Sequence, residues 1–164
     1  MKKIKYIGNQ KVISILDVIE QAVEKSNETG TLDLSNTDLS NLSGLRLGTY
    51  SVNLERLILA TGAKNQYPLS RANLSRANLS RVNLSDANLS DADLSDADLS
   101  YTDLSYANLF CTNLSCAKLS CANLFNATLS AAFILQGTKK IAGEELRRYL
   151  IENYKVSVNK NTRF

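Results

Sequence analysis

Six aspartates crowd one stretch of the chain: Asp86, Asp91, Asp93, Asp96, Asp98 and Asp103. Paired carboxylates can hold a divalent cation or work as acid and base. Just before them stand Arg71, Arg76 and Arg81, and after them Tyr101, Tyr106 and then Cys111, Cys116 and Cys121, each run at a spacing of five. Arginines can contact phosphate, and cysteines can ligate zinc. The chain has no His, which removes the commonest general base and the commonest metal ligand. Whether any of these residues act together depends on where a spacing of five puts them.

The spacing belongs to a repeat. A leucine stands at every fifth position through Leu69, Leu74, Leu79, Leu84, Leu89, Leu94, Leu99, Leu104, Leu109, Leu114, Leu119, Leu124 and Leu129. Two residues before each, from Ala72 onward, is Ala, or Val82, Thr102 or Thr112; between the two is almost always Asn or Asp, and after Leu comes Ser, except at Phe110 and Phe125. The same phase is expected upstream through Leu32/Leu34, Thr37/Leu39, Leu42/Gly44, Leu47/Thr49, Val52/Leu54 and Leu57/Leu59, and downstream to Ala132/Ile134. It fails at Gly62/Lys64, where a lysine would point inward, and Tyr67-Pro68 restarts it. Residues 60–68 therefore read as a loop excursion rich in turn formers. Thr31–Leu47 also resembles a leucine-rich repeat, but those have periods of 20–29 residues, unlike the block after Leu69.

A period of five is neither 3.6 nor 2, so neither a lone helix nor a flat strand explains it. A chain that turns a corner every five residues does. The leucine and the small residue two before it point inward, and the other three positions face water. Four sides make a coil of about 20 residues, and coils stack at roughly the 4.8 Å strand spacing. The Asn or Asp can bond nearby backbone groups at each turn. One coil cannot hold itself together, so stacking and end covers are required.

The units Ala-Asn-Leu-Ser-Arg (72–76) and Ala-Asp-Leu-Ser-Asp (92–96) resemble the A(D/N)LXX repeats of the pentapeptide-repeat family. The likeness spans residues 31–135 with one interruption. It implies an all-β solenoid: a right-handed quadrilateral, four-sided parallel β-helix, here of about five coils with α-helical caps at both ends. Three regions follow: 1–30, an N-terminal strand and helix cap; 31–135, the β-helix; and 136–164, a C-terminal helix cap and basic tail. Val12–Lys25 has Val12, Ile15, Leu16, Ile19, Ala22 and Val23 at helical spacing, stopped by Gly30. Glu144–Tyr154 reads as a second helix, its acidic start matched to the helix dipole.

Stepping round the coil in fives turns each run into a ring. The six aspartates ring one coil and do not converge, so neither a metal site nor catalysis is expected, and no cofactor or small-molecule substrate. Residues 20 apart become vertical neighbours, which stacks Arg71 with Asp91, Arg76 with Asp96, and Arg81 with Tyr101 as a cation–π contact. Their expected role is to fix the register between coils. Cys111, Cys116 and Cys121 fall on three corners, beyond the ~7 Å Cα reach of a disulfide, so free thiols are expected. That and the absence of a leader or an apolar span fit a cytoplasmic protein without membrane contact.

The expected function is a non-enzymatic protein–protein interaction or scaffold module. Tyr101, Tyr106, Phe110 and Phe125 all occupy outward positions, and exposed aromatics are enriched at interfaces. The partner is a protein, or a second copy joined through the C-terminal end. Two alternatives stand beside this. The resemblance brings the DNA mimicry of quinolone-resistance pentapeptide proteins, which occupy type II topoisomerases (DNA gyrase). That needs a long acidic face, whereas net charge here is −2 over 70–135 and +4 over 136–164. Nucleic-acid binding through Arg71, Arg76 and Arg81 with Lys139, Lys140, Arg147 and Arg148 is the other; the arginines point from three sides, and two have Asp partners.

Overall fold

The structure, a computed structural model, describes residues 10–40, 42, 46–47, 50–51, 53–136 and 139–164. Its central feature is a ladder of parallel bridges joining residues 20 apart. Asn73 pairs with Asp93 and Asp93 with Asn113; Asn78 pairs with Asp98 and Asp98 with Lys118; Asn83 pairs with Asp103 and Asp103 with Asn123; Asn88 pairs with Asn108 and Asn108 with Thr128. These define four sides, numbered here from Asn73, Asn78, Asn83 and Asn88. Each side gives only one bridging residue per level.

The five-residue step has a local cause. Ala77 N–H bonds the carbonyl of Leu74 at 3.1 Å, closing a turn whose third residue, Arg76, has a φ of 58°. The same left-handed corner recurs at every fifth residue from Arg71 to Ala131, without a glycine among them. An L-residue there costs roughly 1–2 kcal/mol. Two interactions offset it. Asn73 Oδ1 accepts from Ser75 N–H and Ser75 Oγ, at 3.2 and 2.8 Å, holding the turn from inside. Each corner N–H from Arg71 to Cys111 also bonds the level above, as Arg76 N–H does to Ser95 O at 2.8 Å.

Leucine and small residues fill the interior. Leu74, Leu79, Leu84, Leu89, Leu94, Leu99, Leu104, Leu109, Leu114, Leu119, Leu124 and Leu129 are all buried, as are the alanines two before them. Where Thr replaces Ala, its hydroxyl turns to a backbone carbonyl of the level below: Thr102 Oγ1 to Leu79 O and Thr112 Oγ1 to Leu89 O, both 2.8 Å.

The lower end departs from the simple repeat. Helix α1 (Gln10–Thr29) ends at Gly30, whose φ of 81° and N–H bond to Ser26 O close the helix. Ile15, Ile19 and Val23 join the core and cover the first level. Asp33 then lies under Asn73 and Asp38 under Asn78, but Asn53 lies under Asn83. This lowest turn thus takes many more than 20 residues. Leu42 and Leu54 are buried, as the expected phase requires, but the steady run of fives through Leu42, Leu47, Val52/Leu54 and Leu57/Leu59 is broken. Strands β1 (Arg46–Leu47) and β2 (Tyr50–Ser51) pair antiparallel, and Leu57 and Leu59 belong to helix α2 (Leu54–Ala60). Asn53 caps α2 by accepting from Arg56 N–H, and Leu54 and Ile58 sink into the core at i, i+4. Gly44, Thr49 and Val52 lie outside the described residues, as does the side chain of Val12. The segment after α2 is tied to α1: Lys64 N–H bonds Asn27 Oδ1 at 2.9 Å.

The upper end departs too. Phe133 pairs with Asn113 on the first side, after which strand β3 (Phe133–Gln136) runs straight into a hairpin with β4 (Lys139–Ala142). Helix α3 (Gly143–Tyr154) follows, seating Leu146 and Leu150 in the core. The last ten residues then rejoin the stack. Lys155 takes a left-handed corner, Ser157 pairs with Asn123 on the third side, and Arg163 pairs with Thr128 on the fourth.

Candidate functional site

The six aspartates do not form a centre. Asp86, Asp91 and Asp96 are successive corners, whereas Asp93, Asp98 and Asp103 are the outward midpoints of successive sides. Each midpoint carboxylate is occupied locally: Asp93, Asp98 and Asp103 accept from the backbone of Ser95, Ser100 and Ser105, each at 3.0 Å. Asn113 and Asn123 amides reach down to Asp93 and Asp103 at 3.0 Å. Among the described residues no acidic or thiol cluster could hold a metal.

The ring pairs are partly realised. Arg76 and Asp96 approach to 4.0 Å with both side chains well exposed, and the Arg81 guanidinium lies 5.3 Å from the Tyr101 ring centre. Exposed pairs of this kind add about 0–1 kcal/mol. Arg71 and Asp91 occupy stacked corners without an ion pair among the described residues. Cys111, Cys116 and Cys121 are free thiols.

The aromatic residues divide into one group and one outlier. Tyr106 opens the fourth side at the level of Asn108, and Phe110 closes it. Phe125 comes one level up at the corner beside Tyr106, whose N–H bonds the Phe125 carbonyl at 2.9 Å. The three are 62%, 46% and 43% exposed. Tyr101 sits a corner away, over Arg81.

Beneath this side lies a residue that the sequence reading passed over. On the higher levels the midpoint N–H bonds a carbonyl below, as Asn108 does to Ala87. Helix α2 occupies the place of that carbonyl under Asn88, and Glu55 Oε2 accepts the Asn88 N–H instead, at 3.2 Å. The other oxygen, Oε1, is buried without a partner. Burial pushes the Glu55 carboxyl above the usual glutamate range, the Asn88 N–H pulling weakly the other way. The signal was available: Asn53, Glu55 and the Leu54/Ile58 spacing are a capped helix start.

A cleft opens at the top of the second side. It holds about 300 Å³ between Leu114, Ala117, Leu119, Ile134, Tyr149 and Tyr154, with Cys116 and Leu135 at its rim. Burial raises the Tyr154 phenol pKa above its ordinary value.

The geometry defines a repeat solenoid that displays side chains on four sides. Residues 69–105 and 92–130 match the family model for pentapeptide repeats, in eight copies, so this stretch of the chain is a pentapeptide-repeat array. Among solved structures it is similar to the pentapeptide repeat protein Rfr23 of the cyanobacterium Cyanothece 51142, at 24% identity over 88% of this chain and 97% of that one, with a TM-score of 0.37. It is similar to a pentapeptide repeat protein of the Arabidopsis thaliana thylakoid lumen at 24% identity, over 82% and 83% of the two chains, TM-score 0.32. QnrB1, a plasmid-mediated fluoroquinolone resistance protein, aligns at 25% identity over 39% and 41% of the two chains, TM-score 0.20. No curated protein matches. Among the described residues no helix is long and apolar enough to cross a membrane.

Proposed function

We propose that this protein is a non-enzymatic interaction module that binds a protein partner through Tyr106, Phe110 and Phe125. The observation that carries this reading is their grouping: three large aromatic side chains, each more than two-fifths exposed, around one side of a rigid stack. The repeat elsewhere puts Ser at the Phe110 and Phe125 positions, and Ser serves the turn equally well. Folding therefore does not call for phenylalanine there. Exposed aromatic surface on a rigid scaffold favours association, because little conformational freedom is lost on binding. The stack winds right-handed in this reading, with α1 and α3 as its covers, and it works in the cytoplasm, where three unpaired thiols stay reduced.

Mimicry of DNA draws less support. A DNA-like stripe needs acidic residues stacked along one side, whereas the second side carries Asp38, Asn78, Asp98 and Lys118, and the fourth carries Asn88, Asn108, Thr128 and Arg163.

The test compares wild type with a Phe110→Ser, Phe125→Ser variant by sedimentation and by pull-down from the native cytosol. Loss of a captured protein with unchanged circular dichroism is expected. A dimer that becomes a monomer in the variant would make the partner a second copy. Unchanged mass together with an unchanged set of captured proteins would overturn the reading.

A further inference from the structure

Three of the four sides at the level of residues 111–130 are covered by a further bridged segment of the chain, and one is not. On the first side, Leu114 N–H bonds Phe133 O at 2.8 Å; on the third, Leu124 N–H bonds Ser157 O at 2.8 Å; on the fourth, Leu129 N–H bonds Arg163 O at 2.5 Å. On the second side the bridges end at Lys118. The chain leaves after Phe133 through the β3–β4 hairpin and α3, and rejoins only at the third side. Among the described residues nothing pairs with the N–H groups of Cys116 and Leu119 or with the upward carbonyl of Ala117. One level below, the equivalent groups are paired: Asp96 N–H to Ser115 O, Leu99 N–H to Lys118 O, and Lys118 N–H to Ala97 O, at 2.7 to 2.9 Å. An open strand edge is a template for another chain.

The surroundings of this edge state what would fit it. The 300 Å³ cleft beside it is apolar and flanked by Tyr149 and Tyr154. In the levels below, that inward place is taken by Leu79 and Leu99. The outward midpoint is Lys118, the one basic residue among the second-side midpoints, so the residue stacked upon it is favoured when acidic.

We propose that the open second side binds an extended peptide of another protein, running parallel to residues 116–120, with a small, an acidic and a branched aliphatic residue in succession. The acidic residue stacks on Lys118. Its N–H donates to Ala117 O and its carbonyl accepts from Leu119 N–H. The carbonyl three residues earlier accepts from Cys116 N–H, and the aliphatic side chain enters the cleft. This site lies apart from Tyr106, Phe110 and Phe125, so it goes beyond the function proposed above.

The experiment uses the full chain and a fluorescent decapeptide carrying Ala-Glu-Leu at its centre. Two control peptides accompany it: one with Ala-Lys-Leu, and one N-methylated at the Glu nitrogen. We expect saturable binding, weakened at least about tenfold in both controls, the loss of one charge-assisted or backbone bond. Lys118→Glu should reverse the preference between the Glu and Lys peptides, and Phe110→Ser should leave it unchanged. In the free protein, Cys116 and Leu119 amides should exchange with solvent faster than those of Asp96 and Leu99, and slow when peptide is added. Absence of saturable binding at millimolar peptide overturns the proposal, as does binding indifferent to N-methylation. Cys116 and Leu119 amides already as protected as Asp96 and Leu99 in the free protein would also overturn it.

Discussion

Replacing Glu55 by alanine tests the lower end of the stack at a single hydrogen bond. Glu55 Oε2 stands where a backbone carbonyl would otherwise accept the Asn88 N–H. Without it that half-buried donor has no partner, and an orphaned donor costs about 1–3 kcal/mol. Against this stands the cost of the carboxylate itself, since its other oxygen is buried and unpartnered. Glu55→Gln separates the two: it keeps a carbonyl for Asn88 and removes the charge. The sign with pH follows from the raised pKa. The folded state binds the proton more tightly than the unfolded one, so stability rises as pH falls through the folded value and is lost again as pH climbs above it. Urea titrations should therefore place Glu55→Ala below wild type at neutral pH, by less than the full penalty of about 1–3 kcal/mol because the buried carboxylate's own cost goes with it. Glu55→Gln should equal or exceed wild type at neutral pH, the gap closing near pH 4 as the wild-type carboxyl protonates. Amide exchange at Asn88 should quicken in the alanine variant alone. If Glu55→Ala matches wild type in both stability and Asn88 exchange, the carboxylate is not the missing acceptor, and the account of this end is wrong.

Two further outcomes follow from the interior. Leu94→Ala empties a fully buried position midway up the stack and should cost about 2–5 kcal/mol in urea unfolding, with one cooperative transition retained. Thr102→Val keeps the shape but loses the 2.8 Å bond to Leu79 O; because Val82 N–H still serves that carbonyl, the loss should be only about 0.5–1.5 kcal/mol by thermal or urea melts.

Much of this molecule was legible because each repeat solves the same local problem. Leu, the small residue before it and the Asn or Asp between them name their positions outright, so the core and the side on which each residue lies followed from counting. The stacking of Arg76 on Asp96 and of Arg81 on Tyr101 came from the same count. Counting failed where helices interrupt. Leu54, Leu57 and Leu59 keep a spacing compatible with the repeat, yet Asn53 caps a helix that competes for them, and Ile58 fills the core instead of Leu57 and Leu59. At the other end, Val156-Ser157-Val158 and Thr162-Arg163-Phe164 carry the inward, outward, inward pattern, but they sit six apart and follow α3. Nothing local marks them as part of the stack; only the donors and acceptors left open by residues 121–130 select them. The candidate surfaces were half legible. Outward aromatics could be counted, and the structure separates Tyr101 from the other three. The open edge was hidden, because it is made by what the chain omits between Gln136 and Lys155.

The offset of 20 that holds between bridged residues from Asn73 to Phe133 makes the length of this stretch a quantised property. Removing residues 91–110 would bring Asn113 over Asn73 and Lys118 over Asn78 with every rung still matched. The protein would be shorter by one storey and otherwise keep its form. Removing five residues would instead turn everything beyond the cut by a quarter of a revolution, carrying the terminal hairpin and α3 onto a different side of the shaft. Whole-turn duplications and losses can therefore change the distance between the two ends without disturbing either, whereas fractional ones rotate one end against the other. A gene coding for such a chain can adjust reach and bearing separately, by counting in twenties or in fives.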